Sequence, residues 1–558
     1  MNTSREAAGM GGLKGVFSEQ YDYVIVGGGS AGCVLAARLS EDPAVSVCLI
    51  EAGPPDRHPL IHMPLGILWM MRSRTLNWNY ATEPEPELGG RRLFWPRGRT
   101  LGGSSSSNAM CYLRGHPADY DAWAADGNPG WSFAEVLPYF LRAENQERGA
   151  SAFHGVGGPL NVADLRTPSQ LTPRFVAAGI EAGLAFNDDF NGESQEGVGP
   201  FQVTQKNGRR CSTARGYLAP ARARPNLHVL TGMRATRLLF NDRRVVGVDC
   251  VRLDRPAVHQ RLGARAEVLL AAGAIETPKL LMLSGIGETT ALATQGIAVR
   301  HHLPGVGQNL QDHLDVLIVQ RCTAPISWGI TWRNTLRGGV DLWRYLFAGR
   351  GMFTTNGAEA CIITRSSPDL ELPDLQFHFT PGKLRDHGRD LGFLCGDGYS
   401  LHVCNLRPKS RGELVLASAD PAAAPVIRAR YLSDPDDLDR LVRGLRLGRR
   451  ILATRTFDSC RGEEIYPGAN VDDGDEALRA FVRSKAETIY HPVGTCKMGD
   501  AQRDPMAVVD AELRVHGIAG LRVVDASIMP TLVGGNTNAP TIMIAEKAID
   551  LIRAAVPK

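Results

Sequence analysis

The sequence predicts a mixed α/β fold, and three patterns support this prediction. A short apolar run at residues 23–26 leads into a glycine turn and then a helix-forming segment, the order of a parallel βαβ unit. Runs at 374–379 and 400–404 alternate apolar and polar residues, as half-buried strands do. Residues 436–454 carry apolar side chains at helical spacing. We therefore expect a parallel nucleotide-binding unit together with antiparallel strands covered by helices.

Length and composition limit the classes of protein that need consideration. The 558 residues suffice for two large domains or more, and 43% hydrophobic residues suffice for sizeable cores. A net charge of +3 gives no reason to expect a nucleic-acid partner. The 11 cysteines include no CxxC pair, so we expect no metal site and predict reduced thiols in a cytoplasmic protein.

Residues 1–20 are rich in glycine and alanine and lack the apolar core of a signal peptide, so we predict a disordered extension. No run of 18 apolar residues occurs, so no membrane-spanning segment is expected. Peripheral contact with the inner face of the membrane stays open.

The βαβ unit is the best-defined motif. Gly27 would permit the tight turn, Gly29 would let the backbone approach a pyrophosphate, and Gly32 would let helix and strand pack closely. The helix N-terminus would offer amide donors to the phosphates. Glu51, 19 residues past Gly32, would accept hydrogen bonds from ribose hydroxyls and disfavour a 2′-phosphate. The candidate contacts in this unit are Gly27, Gly29, Ser30, Ala31, Gly32 and Glu51. The unit alone does not separate FAD from NAD.

Four further motifs narrow the choice. Residues 97–108 contain a Gly-Gly pair followed by four serines, either a linker or a loop whose donors wrap a pyrophosphate. Residues 273–287 follow the apolar strand 268–270, with Pro278 placed to suit the first turn of a helix. The last two are 490–499, which contains His-Pro, and 523–541, which contains Gly-Gly-Asn-Thr-Asn.

Together these five motifs resemble the glucose–methanol–choline (GMC) oxidoreductase family, from residue 21 to about residue 552. The resemblance implies a Rossmann-like FAD-binding domain with an inserted antiparallel-sheet substrate domain. The FAD domain would be discontinuous, formed by 20–160, 215–315 and 490–555, and the substrate domain by 160–215 and 315–490.

The resemblance also implies further FAD contacts. These are Gly102, Gly103, Asn108, Ala109, Ala235, Asp525, Ala526, Asn538 and Pro540. Ser107 stands where a member of the family carries a histidine bonded covalently to the flavin. Because serine cannot form that bond, we expect non-covalent FAD.

His491 and Asn536 match the catalytic pair of the family. Alcohol oxidation requires removal of the hydroxyl proton and transfer of a hydride from carbon to flavin N5. A histidine serves as the base because its pKa lies near the operating pH. An asparagine amide can donate a hydrogen bond to the alcohol oxygen.

The substrate is less well defined. Residues 399–412 resemble acceptor-dependent alcohol dehydrogenases and choline dehydrogenases, so we predict oxidation of a primary alcohol to an aldehyde, with electrons passed to a quinone or another acceptor. Glu359 could face a cationic substrate, although we favour a structural role. Choline dehydrogenation and O₂-dependent alcohol oxidation remain alternatives. A hydroxynitrile lyase and a non-catalytic flavoprotein are remote ones.

Overall fold

The computed structural model describes residues 17–555. The predicted N-terminal extension lies outside the described residues as far as residue 16. Its end is corrected, because Glu19 and Gln20 already belong to the first strand, where they pair with Leu262 and Gly263. This pairing orders two polar residues that the sequence pattern assigned to the extension.

Strands and helices occur along the whole of the described chain. The strands are β1 Glu19–Val26, β2 Val47–Glu51, β3 Tyr80–Ala81, β4 Phe94–Trp95, β5 Glu144–Gln146, β6 Leu160–Asp164, β7 Gly197–Pro200, β8 Gln202–Val203, β9 Gln205–Lys206, β10 Arg209–Arg210, β11 Leu227–Thr231, β12 Met233–Asn241, β13 Arg244–Arg252, β14 Arg255–Leu270, β15 Ile286–Gly287, β16 His301–His302, β17 Leu314–Cys322, β18 Ala360–Thr364, β19 Leu375–Thr380, β20 Gly398–Asn405, β21 Glu413–Val415, β22 Val426–Arg428, β23 Arg461–Tyr466, β24 Glu487–Thr488 and β25 Leu521–Val523. The helices are α1 Ser30–Leu39, α2 Pro59–His62, α3 Ile67–Met70, α4 Pro117–Ala125, α5 Phe133–Ala143, α6 Leu171–Glu181, α7 Ala219–Ala221, α8 Gly273–Leu283, α9 Thr289–Thr294, α10 Trp332–Ala348, α11 Pro435–Leu452, α12 Asp475–Lys485 and α13 Asn538–Ala555.

The first large sheet contains the predicted βαβ unit. Its strand order is β11-β2-β1-β14-β13-β12, with β25 also paired to β14. The ladders that join β11, β2, β1 and β14 in that order are parallel, and so is the ladder between β14 and β25. Strand β13 pairs antiparallel with both β12 and β14. Strand β2 is buried along its whole length, as expected for a parallel strand covered on both faces.

The second large sheet is antiparallel, as predicted. Its order is β23-β17-β20-β19-β18-β7, with β24 also paired to β17. The predicted runs at 374–379 and 400–404 form β19 and β20. The alternating run that begins at Glu413 does not join this sheet. It forms β21 and pairs with β22 in a separate ladder, because alternation indicates a strand but does not specify its partner.

Helix α11 covers the second sheet, and its sequence explains its bounds. Asp434 caps the N-terminus by accepting a hydrogen bond from the amide of Asp436, and Pro435 occupies the first helical position. Its buried face packs against β20 through residues that include Leu441 and Leu445. The helix predicted at 436–454 is therefore confirmed. The division of the chain into domains stays a prediction.

Helix α8 corrects one detail of the sequence interpretation. It begins at Gly273, so Pro278 lies inside the helix and not in its first turn. A proline lacks the N–H that would reach the carbonyl four residues earlier. That carbonyl, on Ala274, instead accepts a hydrogen bond from Thr495 Oγ1 at 2.7 Å, which satisfies it and lets the helix continue.

Among the helices in residues 17–555, the structure contains none that is both long enough and apolar enough to cross a membrane.

Candidate active site

One cavity of about 670 Å³ connects the two large sheets. Its lining includes Val26 and Ile50 from the first sheet and His378 and Thr380 from the second. This volume lies in the range of cavities that bind cofactors and small ligands.

The glycine turn after β1 forms one end of the cavity. Gly27 has φ +104°, and a Cβ there would lie 2.5 Å from the carbonyl oxygen of Ala271. A Cβ on Gly32 would lie 1.8 Å from the carbonyl oxygen of Gly27. Gly29 is different, because the nearest atom to a Cβ there is 3.9 Å away. Two glycines thus permit the tight turn, and the third leaves room for a ligand at the N-terminus of α1.

Glu51 ends β2 beside this turn. Its carboxylate is buried and accepts hydrogen bonds from the amides of Gly28, at 2.8 Å, and Gly53, at 2.7 Å. Burial raises the pKa of Glu51 to about 7, although the two amide donors oppose this shift. The carboxylate lines the cavity, where it remains within reach of a ligand.

The loop of 102–106 closes over the turn and is not a free linker. The amide of Gly102 donates to the carbonyl oxygen of Gly28 at 2.7 Å. Gly103 has φ +51°, and a Cβ there would lie 2.7 Å from the Cα of Gly29. The close contact requires glycine at this position.

Asp525 and Asn538 hold the surrounding segments together. The Asp525 carboxylate accepts hydrogen bonds from the amide of Gly273, at 2.8 Å, and the hydroxyl of Thr277, at 2.6 Å. Asn538 Oδ1 accepts one from Ser30 Oγ at 2.8 Å, which links the start of α13 to the start of α1.

The structure brings most of the sequence-predicted site residues to this one cavity. Those that line it are Gly27, Gly29, Ser30, Ala31, Glu51, Gly103, Asn108, Ala109, Ala235, Asp525, Ala526, Asn538, His491 and Asn536. Three others do not line it. Gly32 and Gly102 lie in the backbone packing of the turn and loop, and Pro540 is buried in the first turn of α13.

His491 and Asn536 are hydrogen-bonded to each other at the other end of the cavity. The distance between His491 Nε2 and Asn536 Nδ2 is 3.2 Å, and Gln376 Nε2 lies 3.4 Å from Asn536 Oδ1. On the far side of the ring, His491 Nδ1 lies 2.9 Å from His313 Nδ1. His313 Nε2 lies 3.0 Å from the carbonyl oxygen of Leu406.

These contacts determine where the protons are. The carbonyl of Leu406 can only accept, so His313 Nε2 carries a hydrogen. Burial lowers the pKa of His313 to about 3, so its Nδ1 keeps a free lone pair. His491 Nδ1 must therefore donate to it. Burial, and then the nearby imidazoles of His313 and His378, hold the pKa of His491 well below its usual range. His491 Nε2 is consequently an unprotonated acceptor that faces the Asn536 amide and the cavity.

None of the sequence motifs indicated His313, Gln376 or His378 as site residues. His378 is buried and lines the cavity, and neither of its ring nitrogens has a partner among the described residues. Alternation along β19 places Gln376 and His378 on one face, which was the available signal for these two. No local pattern marked His313.

Glu359 does not line the cavity. Its carboxylate is fully buried and accepts hydrogen bonds from Ser169 N at 2.8 Å, Thr172 Oγ1 at 2.5 Å and Thr355 Oγ1 at 3.0 Å. Burial raises its pKa to about 7, against the effect of these donors. The contacts favour the structural interpretation over a contact with a cationic substrate.

The residues present fit a bound FAD. At the turn, Gly29 leaves space beside the N-terminus of α1, and Glu51 lines the same cavity. Within the described part of the chain, Arg234 Nε and Asn356 Oδ1 are buried without a hydrogen-bond partner, and both residues line the cavity. Such orphaned polar atoms are expected where a polar ligand supplies the partner.

Comparisons of the whole sequence agree with this site. Residues 21–315 match the N-terminal model of GMC oxidoreductases, and residues 408–545 match the C-terminal model. The chain is 50% identical over 535 residues to alcohol dehydrogenase [acceptor] of Pseudomonas putida, covering 95% of each chain. It is 46% identical over 536 residues to oxygen-dependent choline dehydrogenase of Brucella anthropi, covering 96% of each.

Solved structures show the same fold. Pyridoxine 4-oxidase from Mesorbium loti superposes with a TM-score of 0.85 at 32% identity, covering 96% of this chain and 100% of that one. Formate oxidase from Aspergillus oryzae gives a TM-score of 0.89 at 27% identity, covering 96% and 99%. GMC oxidoreductases are FAD flavoproteins, so the prediction of FAD is confirmed. The chain belongs to the GMC oxidoreductase family of FAD-dependent enzymes.

Proposed function

We propose that this protein oxidises a primary alcohol to an aldehyde and passes the electrons to a quinone or another acceptor. The observation that carries the proposal is the linked series Leu406–His313–His491–Asn536, which leaves an unprotonated imidazole nitrogen beside an amide donor in the cavity. A base and a donor so placed suit an alcohol hydroxyl.

The proposed reaction assigns a separate task to each side chain. The alcohol hydroxyl donates to His491 Nε2, which then takes its proton. Asn536 Nδ2 donates to the alcohol oxygen and stabilises the negative charge that develops there. His313 holds the His491 ring in the required tautomer through the contact at Nδ1. Bound FAD would supply the acceptor for the hydride from the alcohol carbon. The low pKa of His491 keeps the base ready at neutral pH.

We infer that the turn Gly27–Gly32 and the N-terminus of α1 hold the pyrophosphate of FAD, and that Glu51 holds the adenosine ribose. The free space at Gly29 and the buried carboxylate support these assignments. The remaining cavity-lining candidates would contact the rest of the cofactor. Ser107 also lines the cavity and cannot bond covalently to flavin, so acid precipitation should leave yellow FAD in the supernatant. Flavin in the protein pellet would contradict non-covalent binding.

One relative suggests choline as an alternative substrate and oxygen as an alternative electron acceptor. The Brucella relative is named for choline and for oxygen. The contacts of Glu359 count against a choline site built on that carboxylate, whereas the acceptor is left to experiment.

Anaerobic mixing of the holoenzyme with a panel of alcohols tests the proposal. The panel contains choline and long-chain, benzylic and polyether alcohols, and bleaching of the flavin absorbance is the signal. We expect bleaching by at least one neutral primary alcohol, with reoxidation faster by a quinone analogue than by oxygen. Bleaching by choline alone would favour the choline alternative, and faster reoxidation by oxygen would favour an oxidase. A flavin that no alcohol bleaches would refute the proposal, as expected for a lyase or a non-catalytic flavoprotein.

A further inference from the structure

Helix α10, Trp332–Ala348, exposes its apolar side to the exterior. The positions that face the protein are Asn334, Gly338, Asp341 and Tyr345, which are buried or half-buried. The opposite side forms an apolar face that consists of Trp332, Leu336, Val340, Leu342, Trp343, Leu346 and Phe347. Trp332, Leu336 and Phe347 are 70%, 71% and 74% exposed. Helices on the surface of a globular protein normally have the reverse orientation.

This exposure is concentrated in one region of the molecule. Seven of the fifteen strongly exposed large apolar side chains in residues 17–555 lie on α10. An eighth, Ile330, lies two residues before the helix. A patch of this kind normally marks a binding surface for an apolar partner.

The charges around the apolar face indicate the kind of partner. Arg333, Arg337 and Arg344 lie along one edge of the face, at the helical positions between it and the buried side. The one acidic residue of the helix, Asp341, faces inward and lies 3.5 Å from Arg344. A short helix with Trp, Phe and Leu on one face and arginines at its edge is typical of helices that lie in the interface of an anionic bilayer.

Helix α10 connects the exposed apolar face to the cavity, because some of its residues line the cavity. Asn334, Thr335 and Gly338 line the cavity, as do Trp328 and Ile330 just before the helix. The helix therefore forms part of the wall of the cavity that His491 also lines.

We propose that the apolar face of α10 docks on the surface of a lipid bilayer that contains anionic phospholipids. The helix lies parallel to the membrane, its apolar side chains enter the acyl boundary and its arginines contact headgroup phosphates. The cavity then opens at the membrane surface, where apolar alcohols and a lipid-dissolved acceptor are concentrated. This last consequence rests on the proposed function, whereas docking itself does not.

Vesicle flotation of the FAD-loaded full chain tests docking without any alcohol present. Wild type should float with vesicles of phosphatidylglycerol and phosphatidylethanolamine. The double variant Trp343→Gln/Phe347→Gln should bind at least about tenfold more weakly, because two large apolar side chains no longer enter the bilayer. The matched control is Phe186→Gln, which replaces an aromatic side chain that is 58% exposed outside the apolar face and should float like wild type.

A second pair of variants tests the electrostatic part. Arg333→Gln/Arg337→Gln should weaken binding to anionic vesicles several-fold and reduce its salt dependence, with little change on phosphatidylcholine alone. Arg503→Gln, at an arginine 77% exposed elsewhere, is the control and should change neither property.

Three outcomes would overturn docking. Wild type would fail to float, or the Trp343/Phe347 variant would float equally well, or wild type would stay off vesicles while that variant converts a dimer to a monomer in sedimentation. The last outcome would make a second copy of this chain the occupant of the face. FAD content and flavin bleaching by a water-soluble alcohol should be the same in all variants. A protein that floats but bleaches with no alcohol would refute the proposed function and leave docking intact.

Discussion

At the scale of single residues, the backbone carbonyl of Leu406 determines the tautomer of His491 through the intervening imidazole of His313. Leu406 accepts from His313 Nε2, and the remaining lone pair of His313 accepts from His491 Nδ1. A lone histidine in a cavity could present either nitrogen as N–H. The second imidazole removes this ambiguity and leaves Nε2 free for a substrate.

Removal of the His491 imidazole should therefore abolish most of the chemistry and leave the cofactor bound. We expect His491→Ala to retain FAD and to slow flavin bleaching by alcohol by two orders of magnitude or more, roughly the contribution of general acid–base catalysis. Anaerobic stopped-flow mixing measures this rate. His302→Ala, at an exposed histidine on β16, is the control and should react like wild type. A near-native bleaching rate in His491→Ala would exclude His491 as the base.

Glu359 leads to a prediction about selectivity. Because its carboxylate contacts Ser169, Thr172 and Thr355, Glu359→Gln should leave the relative binding of choline and its neutral isostere 3,3-dimethylbutan-1-ol unchanged within about twofold. Glu359→Ala should instead lower the stability by about 1–3 kcal/mol, because buried donors lose their acceptor. Dissociation constants and thermal unfolding measure the two effects. A tenfold loss in Glu359→Gln that is specific to choline would show that the carboxylate reaches the substrate.

At the scale of secondary-structure elements, the β1–α1 turn depends on the absence of side chains. A methyl group on Gly32 would lie 1.8 Å from the Gly27 carbonyl, so the turn or the helix would have to move. Gly32→Ala should therefore lose most of its bound FAD and unfold at a lower temperature.

The control is a second glycine that also lies in a helix but has free space where a Cβ would be. Gly339 is also helical, and a Cβ there would meet no atom within 4 Å. Gly339→Ala should keep full FAD content and unfold no earlier than wild type, because alanine favours a helix by about 1 kcal/mol over glycine. The ratio of flavin to protein absorbance and the unfolding temperature measure both variants. Full FAD content in Gly32→Ala would mean that the turn has more freedom than its geometry indicates.

At the scale of the whole molecule, local sequence patterns predicted individual strands and helices well. The candidate active site depends on contacts between distant segments, which no local pattern indicates. The turn at Gly27 and the helix at 435–452 follow from residue spacing along one segment. His313 and His491 are 178 positions apart, and neither sequence neighbourhood indicates that their rings meet. The family motifs indicated His491 and Asn536, but the supporting His313 belongs to neither motif. Similarly, the alternation at Glu413 indicated a strand but could not indicate its partner.

Three distant segments are tied together by a buried ionic cluster, and its titration should be visible in the stability of the whole chain. His154 Nδ1 lies 3.1 Å from the Glu144 carboxylate, and its Nε2 lies 2.9 Å from Asp189 Oδ2. Arg114 Nη2 lies 2.8 Å from the other side of Glu144. Burial alone would lower the pKa of His154, but the hydrogen bonds to Asp189 and Glu144 outweigh burial and raise it to about 9.

This raised pKa fixes the sign of a pH effect. The folded protein holds the His154 proton more tightly than the unfolded chain, so the contribution to stability is fully present below about pH 6.5 and is lost as the pH rises through about 9. A shift from 6.5 to about 9 corresponds to roughly 3 kcal/mol, and the partial exposure of Asp189 reduces this value through solvent screening. His154→Gln lacks the titrating group, so wild type should exceed this variant in unfolding temperature by the largest margin near pH 6 and by a much smaller one near pH 10. Thermal unfolding of both FAD-loaded proteins across this range measures the margin, and titrating groups that do not contact His154 cancel because they behave alike in both. A margin that stays constant or grows with pH would mean that His154 is neutral in the folded protein and that the cluster is held by Arg114 alone.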